Sequence, residues 1–163
     1  MSRYSVRPLK EQDIESIIAI DALVTGARGP DRAGFWRGLL SLHVPSEEVP
    51  AAEEPRGGCL CEVAELSGGK DGAAGQVVGF IIGDVQSWQF GIPRHGRIVT
   101  IGVHPDHRRH GVASLLAEAL LGAFQKIGLP FVHCMVRPGD PLAEFFESIG
   151  CRASEFKVLE KRL

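Results

Sequence analysis

Asparagine is absent from this chain of 163 residues, and tyrosine occurs once, at Tyr4. No run approaches the roughly 18 to 20 apolar residues that a membrane-spanning helix requires, and Met1-Ser2-Arg3-Tyr4 lacks the apolar core of a signal peptide. A cytoplasmic protein without a membrane partner is therefore expected. The four cysteines form no Cys-x-x-Cys pair, so in a chain of this length Cys59, Cys61, Cys134 and Cys151 read as reduced core thiols rather than a disulfide frame. Cys59 and Cys61 also lack the usual zinc-ligand spacing, and no metal is expected. Neither Gly-x-G-x-x-Gly nor Gly-x-x-x-x-Gly-Lys-Ser/Thr is present, which removes the fingerprints of dinucleotide-binding and P-loop domains. Strong charge is missing too. A formal net charge of −2 and a pI near 6.3 argue against general nucleic-acid binding.

What is present suits one core. With 44% hydrophobic residues, a chain of this length can bury a single sizeable core, so residues 1–163 are expected to form one domain. Tyr4 to Arg7 reads as a first strand; Ile14, Ile17 and Ile18 mark a helix ending near Asp21, and a second helical piece covers Phe35 to Leu42. Thr25 to Pro30 is turn chemistry, and Pro45 to Gly58 is a surface connection without apolar periodicity. Leu60 to Leu66 and Gln76 to Val85 read as an antiparallel hairpin joined by the glycine-rich stretch Ser67 to Gly75. Further on, Leu129 to Val136 is a strand. Asp140-Pro141 opens a helix that ends at Gly150, with Leu142, Phe145, Phe146 and Ile149 inward, and Arg152 to Leu163 supplies one or two closing strands. The order is that of a mixed α/β domain.

The stretch Ile98 to Ala113 carries the chemistry. An apolar run, Ile98-Val99-Thr100-Ile101-Gly102-Val103, breaks into His104-Pro105-Asp106-His107-Arg108-Arg109-His110-Gly111 and opens into a helix. That helix buries Val112, Leu115, Leu116, Ala119, Leu120, Ala123, Phe124 and Ile127 at the i, i+3, i+4, i+7 spacing of one face, so its first turn has a fixed position. The leading N–H groups of a helix have no internal partner and the macrodipole adds positive potential, which makes the turn an anion site. Arg108 and Arg109 add charge, while Gly111, Ala113 and Ser114 keep side-chain bulk away from the amides. A local basic site on a slightly acidic chain suits a small anionic ligand.

Arg108, Gly111 and Ala113 match Gln/Arg-x-x-Gly-x-Gly/Ala, and the segment resembles motif A of the GNAT superfamily of acetyl-CoA-dependent N-acetyltransferases. With Arg97-Ile98-Val99-Thr100-Ile101-Gly102-Val103 ahead of it, the block is most similar to the branch that acetylates protein N-termini and ribosomal-protein alanine. The resemblance implies a single α/β domain of the GNAT type: a mixed, mostly antiparallel sheet with splayed central strands, flanked by helices. It implies acetyl-CoA as co-substrate, with Arg108, Arg109, His110, Gly111, Val112, Ala113 and Ser114 around the pyrophosphate. Ile101 and Val103 would pair with the pantetheine arm in the gap between splayed strands.

Pro141-Leu142-x-x-Phe145-Phe146-x-x-x-Gly150-Cys151 resembles the family's second motif, Asn-x-x-Ala-x-x-Leu-Tyr-x-x-x-Gly-Phe, and departs from it. Gly139 stands for Asn, and Phe146 for the Tyr that protonates the leaving thiolate in many relatives. Phe146 cannot donate a proton, and Tyr4 is the only phenol. Phe146 is expected to pack against pantetheine or core. Where the alanine acetyltransferase branch often carries Glu, this chain has Cys134.

An ammonium must lose a proton before its nitrogen can attack a thioester, and a base with pKa near the working pH helps most. The candidates are Cys134 and His133, which strand alternation turns to opposite faces, and Glu62 and Asp84 on the hairpin strands. Glu62 and Asp84 are also read as solubilising carboxylates, and Cys134 as a buried apolar residue. Direct transfer needs no covalent enzyme intermediate, since holding amine and thioester together beside a polarising N–H supplies much of the rate. The expected function is direct acetyl transfer to a primary amine, a protein N-terminus first and a small-molecule amine as the alternative. The acceptor is expected across residues 23–40, the 84–97 connection and the C-terminal loop. A noncatalytic acyl-CoA-binding or sensing module is the opposing reading. A monomer or homodimer is expected.

Overall fold

Alternation along the strands sorts side chains to two faces, and each face is covered by its own helices. The computed structural model describes residues 3–26, 32–41, 59–67, 75–87 and 91–163. Their elements are β1 (Tyr4–Pro8), α1 (Ile14–Thr25), α2 (Arg32–Ser41), β2 (Cys59–Leu66), β3 (Val77–Gln86), β4 (His95–Val103), α3 (Val112–Lys126), β5 (Val132–Cys134) and α4 (Pro141–Ser148). The strands form one five-stranded sheet in the order β1-β2-β3-β4-β5, antiparallel except for the parallel pair β4–β5. The result is a single mixed α/β domain with a mostly antiparallel sheet.

On one face Leu60, Ala64, Ile81, Ile98 and Ile101 pack against Val112, Leu116, Leu120 and Phe124 of α3 and Phe146 of α4. On the other, Cys61, Val63, Phe80 and Ile82 pack against Ile14, Ile17 and Ile20 of α1 and Trp36 of α2. The Phe124 ring reaches the sheet because glycines lie beneath it: a Cβ on Gly83 would stand 2.7 Å from its Cζ, and one on Gly96 2.9 Å from its Cδ2. The expected inner face of α3 is buried at Val112, Leu116, Leu120, Ala123, Phe124 and Ile127, while Leu115 and Ala119 are half-buried at its flanks.

Several boundaries differ from expectation. α1 runs on past Asp21 to Thr25, where Gly26 at φ 72° supplies the left-handed cap. β5 is three residues rather than eight, because β4 offers partners only at Gly96, Arg97 and Ile98; beyond Cys134 the chain has no ladder to join, and Met135 is 67% exposed. Residues 152–163 form no strand, correcting the expected closing strands: Val158 and Leu159 are 74% and 91% exposed, and strand-forming residues without a cross-strand neighbour gain nothing from extension. The Pro45 to Gly58 connection, the tip of the glycine-rich hairpin and most of the Thr25 to Pro30 turn lie outside the described residues. α4 begins as its sequence implies, with the Asp140 carboxylate accepting from Leu142 N–H at 2.9 Å and Pro141 in the first turn. Only Phe146 of its four expected inward residues is fully buried.

Candidate active site

The parallel pairing of β4 with β5 covers Gly96↔Val132, Arg97↔His133 and Ile98↔Cys134, and then stops while β4 continues to Val103. A bulge falls at this point: Ile82 pairs with Thr100 and Gly83 with Ile98, leaving Val99 without a partner across β3. The two strands therefore part, and a small cavity of about 100 Å3 opens between Ile98–Ile101, Cys134–Val136, Leu142 and Phe146. The splay implied by the sequence resemblance is present.

Where β4 ends, a 3-10 turn at Pro105–His107 leads into the basic loop. Arg109 has φ 58°, the only positive φ of a non-glycine among the described residues, and Gly111 follows at φ 78°. The left-handed conformation costs Arg109 about 1–2 kcal/mol, and with Gly111 on the other side of His110 it turns the chain sharply into α3. The first bond of α3 runs from Leu115 N–H to the Gly111 carbonyl at 3.0 Å, so the N–H groups of Val112, Ala113 and Ser114 lie ahead of the helical ladder. Nothing lies within 4 Å of the position a Cβ would take on Gly111, and the space above the helix start is open.

That space belongs to a cleft of about 730 Å3 lined by Thr100 to Val103, His107, Arg108, Arg109 and Gly111 to Ser114. The structure thus brings Ile101, Val103, Arg108, Arg109, Gly111, Val112, Ala113 and Ser114 to one cavity, whereas the exposed His110 turns its Nδ1 to the Arg108 carbonyl at 2.7 Å and is not among the lining. Open amides at a helix start, two arginines and an unpaired strand edge fit a diphosphate with an amide-bearing arm, so the cradle fits the acetyl-CoA that the motif implies.

Asp21, Val24 and Thr25 of α1, Phe80 of β3, Asp140 before α4 and Phe145 within it complete the cleft; Val24 and Thr25 lie in the expected 23–40 acceptor segment, whereas sequence reasoning missed Asp21 and Phe80. Asp21 is 3% exposed and accepts from Trp36 Nε1–H at 3.2 Å. Helical periodicity marks Asp21 only as a polar residue near a helix end, and nothing local says that α1 lies across β4. Tyr4, the only phenol, is buried on β1 and its hydroxyl lies 3.1 Å from Nδ1 of His107, so it buttresses the turn that leads to α3.

The four proposed acid–base residues are not gathered in the large cleft. Glu62 is corrected from an exposed carboxylate: it is 5% exposed, and its neighbours Leu60 and Ala64 face α3 while Cys61 and Val63 face α1, so alternation puts it on the α3 side. Asp84 is corrected from a free solubilising group. Its carboxylate accepts from Arg97 Nε at 3.0 Å, Arg97 Nη2 at 2.5 Å and Gln86 Nε2 at 2.8 Å, and the pairing raises the Arg97 guanidinium above its ordinary value. Cys134 packs toward the α3 core beside the splay, where burial, then the neighbouring Cys151 thiol, push it up to about 11. It is a protonated thiol at neutral pH and a poor base. His133 faces the other way, and burial, His95 and Arg97 hold it below the usual imidazole value, with Asp84 opposing. Phe146 is 4% exposed within the core. Among the described residues no group of three or more metal-binding side chains converges, and no helix is long and apolar enough to cross a membrane.

A splayed α/β sheet with an anion cradle at a helix start defines a class, and comparison with known proteins agrees. The Acetyltransferase (GNAT) family matches residues 33–151, and the chain belongs to that family. No curated protein sequence matches it. Among solved structures it is similar to the ribosomal-protein-alanine N-acetyltransferase of Brucella melitensis biovar Abortus 2308, at 17% identity and TM-score 0.70 over 98% of this chain and 99% of that one. It is also similar to AAC(6')-Iy in complex with the bisubstrate analog CoA-S-monomethyl-acetylneamine, at 15% identity and TM-score 0.72, covering 99% of each chain. A third is the aminoglycoside acetyltransferase meta-AAC0020 from an uncultured soil metagenomic sample, at 18% identity and TM-score 0.68, covering 99% of this chain and 96% of that one. At such identities the likeness is one of fold.

Proposed function

We propose that the protein is an acetyl-CoA-dependent N-acetyltransferase that passes the acetyl group directly to a primary amine, a protein N-terminus first and a small-molecule amine second. The observation that carries this reading is the continuity of the cleft: the left-handed turn at Arg109 and Gly111 opens onto the free edge of β4 at Thr100 to Val103, beside the splay. Arg108, Arg109 and the N–H groups of Val112, Ala113 and Ser114 would hold the diphosphate, and the backbone of Ile101 and Val103 would align the arm. Acetyl-CoA supplies the activated acyl group as a thioester.

The chain's part is then to place an amine against the carbonyl, which is worth several orders of magnitude in rate without any covalent enzyme intermediate. The high thiol pKa of Cys134 supports direct transfer over a route through acetyl-cysteine. Relatives acting on a ribosomal protein and on aminoglycosides support an amine acceptor. A cytoplasmic site of action agrees with cytoplasmic acetyl-CoA. One observation favours a second reading, an acyl-CoA sensor without turnover: a buried Phe146 stands at the position of the family's proton-donating tyrosine.

The test is thermal unfolding with and without acetyl-CoA, followed by thiol release against N-terminal-alanine peptides and aminoglycosides. A ligand that binds only the folded state raises the midpoint by mass action. Stabilisation with amine-dependent release is expected; stabilisation without release selects the sensor, and no stabilisation overturns both.

A further inference from the structure

The closest pair of histidine rings among the described residues, His95 and His133, lies outside the cleft at the paired end of β4 and β5. His95 is 1% exposed and its Nδ1 lies 2.7 Å from the Pro93 carbonyl. A carbonyl only accepts, so Nδ1 carries a proton and donates. The other ring nitrogen, Nε2, is buried with no hydrogen-bond partner among the described residues. Buried polar atoms are rarely left so, and each one asks for a reason.

The His95 ring stacks on Phe131 with centroids 4.9 Å apart and planes 8° apart, and against His133 at 4.7 Å and 39°. Because Val132 and Cys134 pack toward α3, alternation turns His133 to the α1 and α2 face. Arg97 sits directly opposite His133 on one side and Asp84 on the other, in a single row across the sheet. The next pair along, Ile98 with Cys134, is the last before the strands part, and both residues wall the gap. His133 therefore stands one residue from the splay, on the face away from the α3 core.

We propose that His133 takes the proton from the acceptor amine at the mouth of the β4–β5 gap, and that His95 is the positioning residue that holds the His133 ring there. This rests on the acetyl-transfer reading. One proton of the ammonium passes to the bare nitrogen of His133; the nitrogen lone pair forms the N–C bond to the acetyl carbon as the C–S bond breaks. The second proton on nitrogen ends on the leaving thiolate, and His133 returns its proton to solvent. The groups facing His133 are His95 and Arg97 of β4 and Asp84 of β3. Burial and the first two keep it neutral near pH 7, against the opposing pull of Asp84.

The experiment measures kcat, KM and pH profiles with the peptide and aminoglycoside panel, and acetyl-CoA affinity by calorimetry, for the unsubstituted protein, His133→Ala, His95→Ala and His95→Gln. An acid limb in kcat/KM below pH 6.5 is expected. His133→Ala should lose about 10²- to 10⁴-fold in kcat and abolish that limb, with acetyl-CoA affinity unchanged. His95→Ala should move the limb and lower kcat, and His95→Gln, whose amide can still donate to Pro93, should recover part of the loss. An NMR titration of the imidazoles in the unsubstituted protein serves if a variant fails to fold: a His133 imidazole that titrates apart from the acid limb of kcat/KM overturns the inference. Unaltered kcat and limb in His133→Ala overturn it as well, leaving acetyl transfer intact. Absence of acetyl-CoA binding, or of turnover with every acceptor, overturns the acetyl-transfer reading itself.

Discussion

Replacing Gly111 separates the cradle's backbone requirement from its charge requirement. Its φ of 78° is a left-handed conformation, and the volume beside it is empty, so a side chain meets no atom and pays only the backbone term. That term is about 1–2 kcal/mol, and it is the same for Gly111→Ala and Gly111→Glu. For a domain of this size it lowers the unfolding midpoint by roughly 2–8 °C, which a stable fold survives. The carboxylate of the Glu variant adds a negative charge beside an incoming diphosphate. At a separation of roughly 6 Å and an effective dielectric between about 20 and 80, each charge pair is worth about 0.7–2.8 kcal/mol, a weakening of about three- to hundredfold. Gly111→Ala should bind acetyl-CoA within a few-fold of the unsubstituted protein, and the gap between the two variants should narrow at 1 M salt, where the screening length falls to about 3 Å. Calorimetric titration at two ionic strengths reads both effects. If Gly111→Glu remains folded and binds acetyl-CoA with unchanged affinity, the loop is not the cofactor cradle.

Other consequences are open to direct measurement. Phe124→Ala empties the space above Gly83 and Gly96 and should destabilise the domain by about 3–5 kcal/mol in denaturant titration. Asp13 is 3% exposed; burial alone would raise its carboxyl, but the bonds from Arg7 at 2.7 and 2.9 Å and from Lys10 N–H at 2.8 Å outweigh that and hold it below the ordinary carboxylate value. Its contribution is thus present above the unfolded-state pKa near 4 and is lost as pH falls below it, so Asp13→Asn should lose about 1.5–3 kcal/mol at pH 7 and little at pH 2. Cys134 should react slowly with iodoacetamide at pH 7 and faster as pH climbs toward about 11, and Cys134→Ala should keep most of its turnover. Tyr4→Phe removes the bond to His107 and should raise the acetyl-CoA dissociation constant a few-fold without lowering kcat.

The sequence alone determined the local devices. Apolar spacing located α3, Asp140-Pro141 located the start of α4, and the strand-to-basic-turn transition at Val103 to Gly111 located one wall of the cleft, because each depends on residues a few positions apart. Tertiary structure decided the rest. Whether Glu62 and Asp84 meet solvent depends on which helix covers each face and on a partner thirteen residues away, Arg97, which no local pattern names. The extent of β5 was set by where β4 diverges from it, and the irregular course of residues 152–163 by the absence of any ladder to join. Asp21 and Phe80 became cleft walls only when α1 lay across the sheet, and His95 met His133 only through the parallel pairing of β4 and β5. Short-range chemistry is written in short-range sequence, whereas a site assembled from five elements exists only once their faces have been buried against one another.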